Sequence, residues 1–295
     1  MASRVEEGPV YGAVTRWQTE IRTKSATKKG LDIPEILELI LARMDMRTLL
    51  TSAQRVCHDW AKLISKSPSI QKALFFTPIK NSKWGVEERI LNPLLKETFP
   101  SFFPAWDRTK HYEFNFSDLT MTKDATTMAQ FVRKDASWRK MLVQQPPASD
   151  VGLFHIRHGK GGDSARSSSI PAAKETQEFG NDGLRMERLF ELLLFSHQVQ
   201  FLAYTKARVY WSTEEPILFN ESSRNQNIND RFYRILSKFG LLLYTREVKQ
   251  CCKKPSPPSA AELVRKEIIA AYEEHDLDVN SKKKDIEESK VEVSR

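Results

Sequence analysis

Residues Leu31–Phe76 read LDIPEILELILARMDMRTLLTSAQRVCHDWAKLISKSPSIQKALFF, a run that holds three short amphipathic helical patterns in close succession. Asp32 followed by Glu35 has capping-box spacing, and Pro34 falls in the first turn, where a missing N–H forfeits no helical bond. A helix is therefore predicted to begin here. Ile36, Leu37, Ile40, Leu41 and Met44 gather on one side of it, with Leu39 off that side. After a break around Asp45 to Thr48, Leu49, Leu50, Ala53, Val56, Cys57 and Trp60 repeat the helical spacing and leave Gln54, Arg55, His58 and Asp59 for water. Ser67-Pro68 predicts the start of a further helix carrying Ile70, Ala73, Leu74 and Phe75.

A helical module this small buries little apolar surface by itself. Leu39, Leu49 and Leu50 near its rim are expected to finish their burial against another chain or against the adjacent domain. Periodicity leaves both readings open.

The same residues carry a family likeness. Ile33-Pro34-Glu35-Ile36-Leu37, then Ile40-Leu41, Leu49-Leu50, Ala53, Val56-Cys57, Trp60 and Leu63-Ile64 resemble the F-box, and the match runs through the whole motif in order. Its most specific part is Gln54-Arg55-Val56-Cys57-His58-Asp59-Trp60, continued by Ser67-Pro68-Ser69-Ile70-Gln71 and Ala73-Leu74-Phe75-Phe76 in the manner of F-box proteins of the filamentous-fungal type. Two positions depart from the pattern: Thr48 stands where an acidic residue is frequent, and Met44 replaces a usual leucine. The resemblance implies a non-catalytic substrate-receptor subunit of a cullin-RING (SCF) ubiquitin ligase, docking on the Skp-family adaptor and, through it, on cullin, and binding a protein substrate with the rest of the chain. Carried over residue by residue, it implies an adaptor-facing surface of Ile33, Pro34, Ile36, Leu37, Leu49 and Leu50. Val56, Cys57 and Trp60 either join that surface or hold the helices together.

Composition narrows the alternatives. Three cysteines, Cys57 and the adjacent pair Cys251-Cys252, make no disulfide framework and lack zinc spacing, so neither a structural metal nor a cofactor is expected. The most apolar segment, Leu189 to Tyr204, is too short and too often interrupted to span a bilayer, and the polar start does not resemble a signal peptide. A cytoplasmic and/or nuclear location is expected. The net charge of +8 raises the question of nucleic acid, but the positive residues are scattered, and Lys282–Lys284 are followed directly by Asp285, Glu287 and Glu288. A solvated face accounts for them.

The predicted fold class is α+β: a small N-terminal helical module followed by a compact α+β domain with a small sheet. Residues 1–30 are expected to form a flexible arm, 31–79 the helical module and 83–250 the substrate-recognition domain; 251–295 should be a linker, a short helix and a disordered tail from Asp276. Val86 to Phe99 predicts a helix in which Pro93 marks a kink or a late start. His111–Phe116, with an aromatic at every second position, predicts a half-buried strand, and Val151–Ile156 a further apolar stretch. The glycine- and serine-rich run 157–183 is expected to be a mobile loop. Met186 to Leu194 predicts a helix, Ala207 to Trp211 a strand, Phe232 to Leu236 a helix and Leu241 to Val248 a strand; Ser259 with Glu262 caps a last helix through Tyr272.

Catalytic chemistry finds no residue set. His155 and His158 run along an expected strand, where that spacing does not place both on one face, and GKGGDS at 159–164 lacks the flanks of a phosphate loop. Neither leucine-rich repeats nor propeller blades are legible. Two other functions remain open on the sequence: an F-box protein acting outside a ligase, and a basic nucleic-acid-binding protein, whose affinity would fall steeply with salt.

Overall fold

The computed structural model describes residues 31, 33–79, 89–103, 114–160, 162–172, 183–196, 205–212, 226–248 and 258–292, and the chain divides into two compact units, Met1–Ala73 and Leu74–Arg295. The expected arm 1–30 lies outside the described residues, as do Cys251 and Cys252.

Among its described residues the first unit is helical throughout: α1 (Pro34–Leu41), α2 (Met46–Thr51), α3 (His58–Lys66) and α4 (Pro68–Ala73). Pro34 opens α1 behind Ile33, whose backbone is extended and whose carbonyl accepts from Leu37 N at 3.0 Å. Asp45 caps α2, its carboxylate accepting from Thr48 N at 2.9 Å. The long second helix expected from Leu49 to Trp60 is broken: a 3-10 turn over Ala53–Arg55 and extended backbone at Cys57 turn the chain between α2 and α3. Helix α4 ends at Ala73, because Phe75 takes a left-handed conformation with φ of 60°. Residues 74–79 thus belong to the second unit, where Phe75 O accepts from Leu142 N at 2.8 Å.

The second unit is a mixed α+β fold. A two-residue pair, β1 (Ile90–Leu91) with β2 (Gln144–Gln145), is separate from a mixed five-stranded sheet. The larger sheet has strands β3 (Asp150–Gly159), β4 (Gly162–Pro171), β5 (Thr205–Trp211), β6 (Leu241–Val248) and β7 (Val291–Glu292), in the order β5-β6-β3-β4-β7. Only β3 and β6 run parallel. Helices α5 (Pro93–Thr98), α6 (Ala125–Phe131), α7 (Ser137–Lys140), α8 (Met186–Phe195), α9 (Gln226–Phe239), α10 (Ala260–Glu274) and α11 (Val279–Glu288) complete it.

One face of the sheet packs on α9, burying Phe154, Ile156, Tyr210, Phe232, Ile235, Leu236, Leu242 and Tyr244. Gly152 permits the close approach: a Cβ there would lie 2.9 Å from Leu242 and from Phe239. Gly240, with φ of 74°, ends α9 and hands the chain to β6, its N–H donating to Leu236 O at 2.8 Å. A second core is aromatic and centred on Phe190 of α8, whose ring lies 5.4–6.4 Å from those of Trp138, Phe102, Phe116, Phe99 and Tyr272.

Several expectations need correction. Asn92 caps α5 through Leu94 N and Leu95 N, so Pro93 marks a late start, and Ile90 and Leu91 are in a strand. Phe114 and Phe116 are buried and meet edge to face, but Phe116 opens a 3-10 turn over Phe116–Asp118 with Phe114 just before it, and neither is in a strand; 111–113 lie outside the described residues. The expected loop is a β-hairpin over most of its length, β3 pairing with β4 from Asp150↔Pro171 to Gly159↔Gly162, while 173–182 are not described. Residues 276–292 are folded rather than disordered: Leu277, Val279 and Ile286 are buried and α11 packs on α8.

The charges of α11 explain how so polar a helix is held. Lys282 reaches Glu191, buried on α8, and Glu187 at 3.3 Å; Arg139 of α7, buried, pairs with Glu187 at 2.9 Å and lies 3.6 Å from Glu191; Arg188 pairs with Asp285. Burial and the neighbouring Glu187 push the Glu191 carboxyl up to about 7, against the pull of Lys282 and Arg139. For Glu187 burial acts upward too, but Lys282 and Arg139 outweigh it and the net shift is down.

Candidate docking surface

Helix α1 has two environments on one short cylinder. Leu37 and Leu41, four residues apart, are buried. Ile33, Ile36 and Ile40, spaced three and four apart, form a second stripe that is 44%, 43% and 43% exposed, with Leu39 still more open. Val56, at the turn before α3, is 60% exposed. A run of open branched aliphatic side chains along one helix is an apolar patch with no polar function of its own.

The remaining predicted residues divide by burial. Pro34 and Cys57 are exposed, Leu50 and Trp60 half-buried, and Leu49 buried with Ala53 and Ile64. Leu37 and Leu49 therefore do not belong to an accessible surface; they face inward because α1 and α2 need a core more than a rim. Ile40, which the resemblance does not place on the adaptor-facing surface, is open as well. The i, i+3, i+7 spacing of Ile33, Ile36 and Ile40 was a signal for this stripe, masked by an equally regular pairing of Ile36 with Leu37 and Ile40 with Leu41.

Polar ties fix the frame of the stripe. Ser67 and Ser69, at the α3–α4 junction, both donate to the Glu38 carboxylate of α1 at 2.5 Å, and these two bonds hold its pKa below the ordinary value. Ser67 Oγ also accepts from Ile70 N, capping α4 as expected, and Gln71 Nε2 donates to Ile64 O at 2.8 Å. The α1 face is thereby tied to α4 by charge-assisted bonds rather than by packing alone.

Other sequence candidates are dispersed. His155 Nδ1 lies 2.8 Å from Thr245 Oγ1, and burial pushes its imidazole pKa down despite Glu247 at 3.7 Å. His158 Nδ1 meets Asp163 Oδ1 at 2.7 Å. Among the described residues no group of three or more His, Cys, Asp or Glu could hold a metal ion, and no helix is long and apolar enough to cross a membrane.

No family model, no curated protein and no solved structure matches the chain.

Proposed function

We propose that this chain is an F-box substrate receptor, a non-catalytic subunit of a cullin-RING ubiquitin ligase that seats its N-terminal helical unit on a Skp-family adaptor and presents its α+β unit to a protein substrate. The observation that carries the reading is the open stripe Ile33, Ile36 and Ile40, with Leu39 and Val56, lying within the residues that resemble the F-box motif. Pro34, Leu50, Cys57 and Trp60 are exposed or half-buried members of the same motif. Leu37 and Leu49 support the surface from beneath. Hydrophobic association of this kind needs an apolar face presented without a desolvation penalty, which branched aliphatic side chains supply.

The test is recovery of the adaptor. Tagged full-length chain should co-purify with the Skp-family adaptor and cullin, and Ile36→Asp with Ile40→Asp should abolish both while leaving the far-ultraviolet circular dichroism unchanged. Recovery undiminished by those substitutions would overturn the assignment of the surface. Recovery of adaptor without cullin would favour the second reading, an F-box protein acting outside a ligase. A nucleic-acid-binding role has in its favour only the net charge of +8.

A further inference from the structure

The sheet face that packs on α9 carries two arginines, Arg208 and Arg246, with no carboxylate paired to either among the described residues. Along that face one row of side chains runs Arg208 on β5, Tyr244 on β6, Phe154 on β3 and Ser167 on β4; the next, nearer the hairpin tip, includes Arg246, Ile156 and Ala165. Arg208 and Arg246 are thus diagonal neighbours on adjacent antiparallel strands, about 7–8 Å apart at the backbone. Beneath them Tyr210 and Tyr244 are buried, edge to face with each other at 5.9 Å and with Phe232 at 5.2 and 6.1 Å.

Both guanidiniums are half-buried, and the Nε–H groups of both are enclosed with no acceptor among the described residues. Arg208 has one long hydrogen bond, Nη1 to Tyr210 OH at 3.4 Å. Among the described residues, the carboxylates on the strands beside them are engaged elsewhere. Glu247 projects from the opposite face, where Arg157 donates to it at 3.0 Å, and Asp163 is engaged by His158. Arg231 on α9 is turned to Ala165 O and Ser167 Oγ on β4. Burial pushes the Tyr244 phenol up to about 12, so it stays neutral and adds no negative charge to the group.

Enclosing a charged donor without an acceptor is unfavourable, and two like charges placed diagonally add to the cost. An apolar pair would serve packing better. Two planar guanidiniums carried at diagonal positions of neighbouring strands match a ligand with several acceptor oxygens and a charge near −2. We propose that Arg208 and Arg246 form an oxyanion site whose ligand is the dianionic group of a phosphate monoester, carried either on a small molecule or on a phosphorylated side chain. The site lies entirely within the second unit and stands independently of the adaptor reading.

The experiment uses the full chain. Inorganic phosphate at pH 8 should raise the thermal midpoint saturably, while sodium chloride of matched ionic strength should not. Arg208→Gln and Arg246→Gln should each weaken phosphate affinity by about tenfold or more, as loss of a charged hydrogen bond requires, and should leave the phosphate-free midpoint unchanged or raised. Competition then names the source: displacement of inorganic phosphate by phenyl phosphate alone indicates a small molecule, and displacement by phosphorylated but not unphosphorylated peptides indicates a modified protein. Absence of a phosphate-specific shift in the unaltered chain, or a shift that persists in the double variant, overturns the proposal. A phosphate-free midpoint that falls in both variants with an unchanged phosphate response makes the arginines structural and overturns it equally. Adaptor recovery is read in parallel and should be the same in every variant.

Discussion

Ile36 and Leu37 are neighbours in sequence and opposites in environment, the one 43% exposed and the other 4%. Both are branched aliphatics of the same size, so composition cannot separate them; the side of the helix each occupies does. The same division sets Leu49 against Val56. Leu49→Ala should lose about 2–5 kcal/mol through lost burial and a residual cavity, whereas Ile36→Ala should stay within about 0.5 kcal/mol, as urea unfolding followed by circular dichroism would measure. In the second unit Glu191 provides a pH-dependent term. Its pKa is raised from 4.5 to about 7 on folding, so the folded chain holds this proton more tightly, and the stability it contributes is full below 4.5 and declines as pH rises toward about 7. Glu187, shifted downward, acts in the opposite sense, losing its contribution as pH falls. In Glu191→Gln the decline between pH 4.5 and about 7 should disappear from the urea midpoints, leaving the acid-side loss.

At the scale of elements, what was legible followed the strength of the apolar pattern. Met186–Phe195, with Leu189, Phe190, Leu193 and Leu194 in its sequence, is a helix as expected, and β5, α9, β6 and α10 fall where alternation or helical spacing placed them. Strand β4 was hidden because Ser164, Ser167, Ser168 and Ser169 give no apolar alternation; its register comes from β3, and a serine-rich strand is held there by the ladder. Helix α11 was hidden for the converse reason. Its mixed charge reads as solvated tail, but Lys282 and Asp285 find buried or half-buried partners on α8 that lie nearly a hundred positions earlier. The break between α2 and α3 is not legible in the sequence, because Ala53, Val56 and Cys57 keep helical spacing across a 3-10 turn. Gly152 sits at a close contact of sheet and helix, and Gly152→Ala should destabilise the second unit by about 1–3 kcal/mol by forcing Leu242 and Phe239 apart, which a lowered urea midpoint would register.

For the whole molecule, the two units divide the chemistry. Residues up to Ala73 carry the open aliphatic stripe, and residues from Leu74 onward carry the sheet, the buried ion cluster around Glu191 and the paired arginines. For the proposed docking surface, Ile33, Ile36 and Ile40 are open, whereas Leu37 and Leu49 are buried. A double substitution of Leu49 and Leu50 to aspartate would consequently be a poor probe, since it would unfold the unit that carries the patch. Nothing at the level of single motifs foretold the arginine pair, because Arg208 and Arg246 are brought together only by the antiparallel register of β5 with β6.

The most direct measurement is a titration of purified full-length chain with purified Skp-family adaptor by isothermal calorimetry. Saturable one-to-one binding is predicted for the unaltered chain, weakened by more than about a hundredfold in Ile36→Asp with Ile40→Asp, a loss on the order of 3 kcal/mol, at an unchanged thermal midpoint. No binding by the unaltered chain, or equal affinity in the double variant, would contradict the account.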